Sequence, residues 1–487
     1  GISLINKKKK ISKNFLKVSD FLSHRGPDSK GSFHQDNISL IHTRLSIIDV
    51  NGGKQPIENQ NSVLVANGEI YNDREIRKDS NNFNFLTKSD SESIICLYEK
   101  YGLEGFKMLR GMYAFALYDK KRKKLFLSRD EFGIKPLYFS FVKDGLIFSS
   151  EIQAILNIEK NKYSILKGKL AEFLQLQFTS GNQTIFKNIF RVRPGETLII
   201  NQGKIEKSII NSPLRFDKKQ KKSTNHNLIS KTLEDSIRVH QRSEVPYCLF
   251  FSGGIDSFLI LYFMNKIKKS KIKSYRVKFD DQNDISSEYI KFLSKKFNTD
   301  LCEINFRKED FWNFLPKAAQ YIDDPVADYA ILPTLKLSNH VSKDGYKVVL
   351  SGEGGDEIFA GYGRYRNYLK LVSKSFFKGT FKKYPQLNKK FEDWDFELNR
   401  LVENTKTLPL SNLQKYQWFD FQNWLPNDLL VKLDRCLMAY GLEGRTPLID
   451  KKVFDNFFFL DDSQKIKKRM GKFYIRDFLK NKIDFYN

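Results

Sequence analysis

The chain has 487 residues, 40% of them hydrophobic, with 42 Phe and 22 Tyr, enough apolar material to exclude wholesale disorder and to fill more than one core. Lys and Arg number 83 against 57 Asp and Glu, a formal charge of +26; this suggests either a nucleic-acid or anionic-membrane surface or a lysine coat on an ordinary enzyme. Four cysteines (Cys96, Cys248, Cys302, Cys436), none in a CxxC pair, exclude a disulfide scaffold and fit no zinc module. So few cysteines suggest a reducing, cytoplasmic setting, and no apolar run approaches the ~20 residues of a spanning helix.

In chain order, short strands are predicted at Ser39–Ile48, Ser62–Ala66, Tyr113–Tyr118, Lys124–Ser128 and Gly145–Ser149, separated by turns such as Asn51-Gly52-Gly53 and Lys143-Asp144-Gly145. One helix is predicted at Ser91–Tyr101. This is an α+β pattern with antiparallel sheets; it fades after Thr197–Ile200, giving a first domain over residues 1–205. Residues 206–225, with Lys218-Lys219-Gln220-Lys221-Lys222, are polar and cationic and are expected to be a linker.

The character then changes. Val245–Phe251 is a continuous apolar strand, followed by a Gly turn and the helical pattern Phe258–Lys266. Lys273–Phe279, the helix Ser286–Phe297 and the strand Lys347–Ser351 continue the alternation. Strands alternating with helices imply an α/β domain with a parallel sheet. The last hundred residues are helical and Phe-rich, so a second domain is placed at 226–487. The Lys runs (Lys7–Lys10, Lys120–Lys124, Lys218–Lys222, Lys465–Lys468) fall at turns, the linker and the tail. A nucleic-acid binder would show a basic stripe interleaved with aromatics, so neither a nucleic acid nor a membrane is expected as partner.

Two glycine loops carry chemistry. Ser252-Gly253-Gly254-Ile255-Asp256-Ser257 lies between a buried strand and a helix. Its glycines, hydroxyls and helix N-terminal N–H groups suit an anion. Asp256 would repel a phosphate unless a cation such as Mg²⁺ stands between them. There is no GxxxxGK[ST], so the loop is not Walker A. Ser351-Gly352-Glu353-Gly354-Gly355-Asp356-Glu357 also follows an apolar strand. Both loops therefore fall at the carboxyl ends of parallel strands, where ligands bind, and Asp256 with Asp356 form a candidate Mg²⁺ pair.

These residues resemble a family. SGGIDS with SGEGGDEIFAGYGRY, then Asp323-Asp324-Pro325-Val326-Ala327-Asp328 with Pro333 beyond, and Leu442-Glu443-Gly444-Arg445-Thr446-Pro447-Leu448-Ile449-Asp450 look like the ATP-pyrophosphatase domain of the glutamine-hydrolysing asparagine synthetases. The N-terminal half carries His24-Arg25-Gly26-Pro27-Asp28, Thr43-Arg44-Leu45-Ser46-Ile47, Asn67-Gly68-Glu69-Ile70-Tyr71-Asn72, Ser89-Asp90-Ser91-Glu92, Arg129-Asp130 and Gly133-Ile134-Lys135-Pro136-Leu137-Tyr138. It resembles that family's glutamine amidotransferase domain, an N-terminal-nucleophile hydrolase.

Glutamine offers a carboxylate, an ammonium and a carboxamide. Arg44 can clamp the first with paired N–H donors. Glu69 and Asp90 suit the second, and Asn67 with the Gly68 amide can donate to a developing oxyanion. The family begins Cys-Gly-Ile, with Cys as nucleophile and its α-amine as base. This sequence begins Gly1-Ile2, so the nucleophilic Cys is expected immediately before Gly1; the alternative is a disabled glutaminase. The family also continues past the position of Asn487, and a shortened C-terminus is expected.

The resemblance implies an ATP-dependent carbon–nitrogen ligase that amidates aspartate with nitrogen from glutamine. ATP would lie at Phe251, Ser252, Gly253, Gly254, Asp256, Ser257, Val277, Ser351 and Gly352, with Mg²⁺ on Asp256 and Asp356. Glu353 would handle protons when ammonia attacks. Lys472, four residues before Arg476, matches the late catalytic lysine. Two alternatives remain: an amidotransferase for another carboxylate, such as a sugar or peptide acid, and an ammonia-using or β-lactam-forming relative without glutaminase activity. A homodimer is an assembly consistent with this reading.

Overall fold

The computed structural model describes residues 1–5, 15, 17–35, 37–158, 163–216, 223–268, 270–279, 286–367, 394–480 and 482. The basic runs Lys7–Lys10 and Lys218–Lys222 lie outside the described residues. The first domain contains β1 (Ile2–Leu4), β2 (Ser29–Gln35), β3 (Ile38–Arg44), β4 (Ile57–Glu58), β5 (Ser62–Ile70), β6 (Gly111–Asp119), β7 (Lys124–Arg129), β8 (Tyr138–Val142), β9 (Gly145–Ser149), β10 (Ile189–Arg191), β11 (Glu196–Asn201) and β12 (Lys204–Ile210). They form two six-stranded sheets, in the orders β10-β8-β9-β1-β3-β2 and β12-β11-β7-β6-β5-β4, and every pairing is antiparallel.

The sheets face each other across one core. Leu40, Leu137, Phe139 and Phe148 from one meet Val63, Ala116, Leu127 and Leu198 from the other. The outer faces are covered by the helix Glu92–Tyr101, through Ile94, Ile95 and Leu97, and by the helix Ile152–Ile158, through Ile152 and Ile155. Each buried strand thus places alternate residues in two different cores.

The second domain holds β13 (Tyr247–Phe250), β14 (Ile272–Phe279), β15 (Thr299–Phe306), β16 (Val348–Leu350) and β17 (Glu443–Arg445). Their order is β15-β14-β13-β16-β17, all parallel. Cys248 and Leu249 enter opposite cores, as do Val349 and Leu350, because helices cover both faces. The two-domain class expected from the sequence is therefore observed: antiparallel sheets with helices, then a parallel sheet with a helical C-terminal part.

Some boundaries differ. The strand expected at Ser39–Ile48 ends at Arg44, where the chain turns inward. β12 pairs along β11 to Ile210, so the first domain's sheet continues past residue 205 and the connecting segment begins later. β17 was not predicted, because Glu443-Gly444-Arg445 has no apolar run; it joins the sheet by parallel pairing with β16, Glu443 level with Val348 and Arg445 with Leu350. No helix among the described residues is long and apolar enough to cross a membrane.

The domains share a core in which Ile47, Tyr71, Met112 and Phe132 pack with Leu425, Leu448 and Ile449. Buried ion pairs cross the same boundary. Arg25 donates to both oxygens of Asp434 at 2.7 and 3.0 Å, Arg191 to both of Asp324 at 2.7 and 2.6 Å, and Arg110 to both of Asp450 at 2.9 and 3.0 Å. Such bidentate pairs fix orientation as well as distance.

Candidate functional site

The first site is a cavity of about 110 Å³ at the ends of β3 and β5. Arg44, Asn67, Gly68, Glu69 and Asp90, which the sequence places in separate motifs, line it together. Met438 and Glu443 close it from the second domain. Arg44 is anchored on a turn: its Nη2 donates to the carbonyls of Ile48 (3.0 Å) and Asp49 (2.8 Å), and its Nη1 to that of Val50 (3.2 Å). Nη2 is thereby committed to the protein, so of the paired N–H donors expected from the sequence one Nη1 N–H and the Nε N–H stay available.

Glu69 lies 3.0 Å from Nη2 of Arg445, a residue of the other domain. Burial pushes the Glu69 carboxyl well above its ordinary pKa, and Arg445 opposes this. Asp90 accepts from the Ile70 N–H at 2.5 Å; burial pushes its pKa up to about 6. The side-chain amide nitrogen of Asn67 is buried without a hydrogen-bond partner. Gly68 has φ +137°, and a Cβ there would fall 1.9 Å from the Met112 carbonyl oxygen, so only glycine lets β5 run this close to β6. In β1, Ile2 is level with Ser39 and Ile147. The same register puts the position directly before Gly1 level with Ile41 and Ser149, beside the lining residues Ile41 and Ser150.

The second site lies at the carboxyl ends of β13 and β16. Phe251 is buried, and its N–H donates to the Tyr275 carbonyl at 2.8 Å. In the parallel register of β13 and β14, Ser252 is level with Val277. Gly253 takes φ +81° to turn the chain into the helix Ile255–Ile267. The hydroxyls of Ser252 and Ser257 are 3.1 Å apart across the loop. The companion loop, with Ser351 and Gly352, leads into the short helix Gly355–Phe359.

The two loops and the C-terminal segment converge on one charge cluster. Lys472 Nζ is 2.5 Å from Asp256 Oδ2 and 2.8 Å from Asp356 Oδ1. A Cβ on Gly355 would lie 2.4 Å from the Asp256 carboxyl carbon, which explains a glycine at that point of the loop. Asp256 Oδ1 is buried without a partner; burial, opposed by Lys472, pushes its pKa up to about 6. Lys472 itself has φ +55°, a strained conformation for a side-chain-bearing residue, of the kind that concentrates at functional positions. Glu353, from the same loop, pairs instead with Lys432, its Oε1 3.3 Å from Nζ.

Several residues escaped the sequence reading. His42 lines the first cavity, donates from Nε2 to the Ala66 carbonyl at 3.1 Å, and is held neutral by burial, its pKa lowered to about 4. Met438 and Glu443 could not be assigned to a glutamine pocket from a position so far along the chain. Asp428 and Lys432 lie four residues apart in a run of mixed apolar and charged residues; that spacing was the only signal. None of the four cysteines lines the first cavity.

Two facing antiparallel sheets with a polar cavity at their strand ends, fused to a parallel sheet with two glycine loops, define a two-site amidotransferase architecture. Residues 1–210 match the family described as glutamine amidotransferase domain, and residues 228–484 the family described as asparagine synthase. The chain belongs to the asparagine synthase family. It is similar to the glutamine-hydrolysing asparagine synthetase 1 of Bacillus subtilis, 30% identical over 94% of this chain and 80% of that one. It is likewise similar to a putative glutamine-hydrolysing asparagine synthetase 2 of Methanocaldococcus jannaschii (32% identical, 73% of each chain). The glutamine-hydrolysing asparagine synthetase B of Escherichia coli is 28% identical over 91% of this chain and 71% of its own.

Proposed function

We propose that this chain is an ATP-dependent carbon–nitrogen ligase that hydrolyses glutamine in the first cavity and uses the ammonia to convert aspartate to asparagine at the second site. The observation that carries the reading is the shared wall: residues suited to glutamine line a cavity closed by Met438 and Glu443 of the ATP-loop domain, so ammonia is released against that domain.

In the first cavity, a cysteine thiolate at the position before Gly1 attacks the glutamine carboxamide. Asn67 Nδ2 and the Gly68 N–H donate to the oxyanion, Arg44 holds the α-carboxylate, and Glu69 and Asp90 hold the α-ammonium. Collapse of the tetrahedral intermediate releases ammonia, and water then cleaves the thioester to glutamate.

At the second site, the aspartate side-chain carboxylate attacks the α-phosphorus of ATP and pyrophosphate leaves. A carboxylate is a poor acyl donor, and AMP is a far better leaving group than oxide. Ammonia attacks the acyl carbon of the adenylate, Glu353 takes the proton it sheds, and AMP departs. Ser252, Ser257, Ser351 and the backbone at Phe251, Gly253, Gly254, Val277 and Gly352 hold the nucleotide. Lys472 stabilises charge at the α-phosphate.

Asp256 and Asp356 fit Mg²⁺: two carboxylates, one with a buried oxygen lacking a partner, match an ion that takes one or two carboxylates and completes its shell with water and phosphate oxygens. Bound there, Mg²⁺ would neutralise phosphate charge. No group of three or more His, Cys, Asp or Glu among the described residues could hold a metal, so the phosphates would supply the remaining ligands.

The test is a product analysis with ATP, aspartate and glutamine, or ammonia in place of glutamine, on chain carrying a cysteine before Gly1. Asparagine, AMP, pyrophosphate and glutamate are expected. ADP and phosphate instead of AMP and pyrophosphate, or no asparagine with either nitrogen source, would refute the proposal.

A further inference from the structure

A second group of charges, unused in the scheme above, abuts the β16 loop. Asp428 sits in a single π-helical turn, Leu425–Leu429, that runs into the helix Leu430–Met438 carrying Lys432. π turns inside helices concentrate at functional sites. Lys432 Nζ is 2.7 Å from Asp328 Oδ2 and 3.3 Å from Glu353 Oε1. Asp328 is otherwise satisfied, its Oδ1 accepting from the Ala330 N–H at 2.7 Å. Asp428 is not. It is 2% exposed, yet its Oδ1 has no hydrogen-bond partner.

Burial first, and then Asp328, push the Asp428 pKa up to about 8. Glu353 and Asp328 outweigh the effect of burial on Lys432 and hold its pKa above the ordinary lysine value. Fully ionised, three carboxylates against one ammonium leave the group two positive charges short. A buried carboxylate oxygen without a donor carries the full cost of its desolvation, which a protein keeps where a ligand supplies the donor. Glu353 belongs both to this group and to the loop that activates the carboxylate, so an acceptor bound there reaches that loop.

We propose that Asp428 and Lys432 read the amino-acid end of the acceptor: Asp428 accepts from its α-ammonium and Lys432 donates to its α-carboxylate, with Asp328 holding Lys432 in place. The side-chain carboxylate is then the group left to face the β16 loop. This rests on the carboxylate-activating role of that loop given under Proposed function, and it narrows the acceptor to carboxylic acids bearing a protonated amine. A sugar acid, or a peptide acid with its amine acylated, has no cation for Asp428.

The experiment is pyrophosphate release from ATP with ammonia as nitrogen source, so that glutamine hydrolysis does not enter. L-aspartate is compared with succinate, which lacks the amine, and with N-acetyl-L-aspartate, whose nitrogen is uncharged. Both analogues should fall at least ~100-fold in kcat/KM, because a site built to bond a polar group rejects a ligand that lacks it. Asp428→Asn, close in shape, should raise the aspartate KM by ~10-fold or more with kcat changed far less, and should narrow the aspartate-to-succinate ratio. Lys432→Gln should raise KM without narrowing that ratio. A merely structural role would not separate the two variants in this way.

Equal use of succinate and aspartate by the unaltered chain, or an unshifted KM in Asp428→Asn, would overturn the proposal. If aspartate fails but another amine-bearing carboxylate is activated, the aspartate reading falls; a raised KM for that acceptor in Asp428→Asn then supports the present one. If only carboxylates without an amine are activated, this proposal falls and the carboxylate-activating role of the loop stands. No release with any carboxylate overturns both.

Discussion

In the cavity at the ends of β3 and β5, Arg44 and Asn67–Glu69 are set by antiparallel ladders, and Asp90 by the turn that leads into the helix Glu92–Tyr101. The counter-ion of Glu69, Arg445, reaches in from the other domain. In the site at the ends of β13 and β16, the order is reversed. Asp256, Asp356 and Lys472 come from three distant segments, glycine loops rather than ladders hold them, and the cation belongs to the same domain. A ladder fixes strand-end side chains cheaply, because register alone places them. A loop site needs glycines where carboxylates approach the backbone, as at Gly355, and tolerates strain, as at Lys472. The first site therefore depends on the domain interface for charge balance, and the second on local geometry.

The largest expected effect tests that dependence. Arg445 is fully buried; its Nη2 forms an ion pair with Glu69 at 3.0 Å, and it donates to Glu443 at 2.8 Å and to the carbonyl of His240 at 2.9 Å. Arg445→Met would take from buried Glu69 its ion-pair partner and leave buried Glu443 only the more distant Lys135, at 3.8 Å, costing about 3–5 kcal/mol. For a domain of this size that lowers the thermal midpoint by about 6–20 °C, read by calorimetry. A shift under about 2 °C would mean the interface is not what balances Glu69.

How much of this was legible depended on distance along the chain. Gly145–Ser149 was predicted with its observed ends, and the helix at Ser91–Tyr101 to within one residue, because period and turn residues are local. The motifs around Arg44, Asn67, Asp90, Ser252 and Ser351 could be read for the same reason. β17 could not, since its three residues are polar and its partners lie in β16. Nor could the pairing of Arg445 with Glu69, which no periodicity encodes. Asp428 was hidden differently: in sequence it is one of several charged residues in a mixed helical run, and only its burial without a partner marks it.

The next effect probes the loop site. Lys472→Ala should lower pyrophosphate release about 100-fold, some ~2.7 kcal/mol of transition-state stabilisation, the scale found when one charge-stabilising donor is lost. Burial would then act on Asp256 without the opposing lysine, raising its pKa further. Glutamine hydrolysis on the same variant, with a cysteine before Gly1, is the control. An equal loss in both activities would place Lys472 in the scaffold instead.

The smallest effect separates the two sites by pH. Burial holds Asp90 in its neutral form until the pH rises through about 6, against an ordinary 3.8. Its ionised form is the one that can hold the glutamine ammonium. Lowering the pH from 7 to 5.5 should therefore weaken glutamine binding by about fourfold, measured by titration calorimetry, with a proton released on binding in that window. Asp90→Asn should bind more weakly at pH 7 and lose this pH dependence. Stability moves the other way. The folded state holds this proton more tightly than the unfolded chain, so the Asp90 contribution to stability falls as pH climbs from about 4 through 6, and Asp90→Asn should melt higher than the parent at pH 7. If Asp90→Asn bound more weakly and also melted lower, Asp90 would be a structural acceptor for the Ile70 N–H, and charge recognition in that cavity would rest on Glu69 alone.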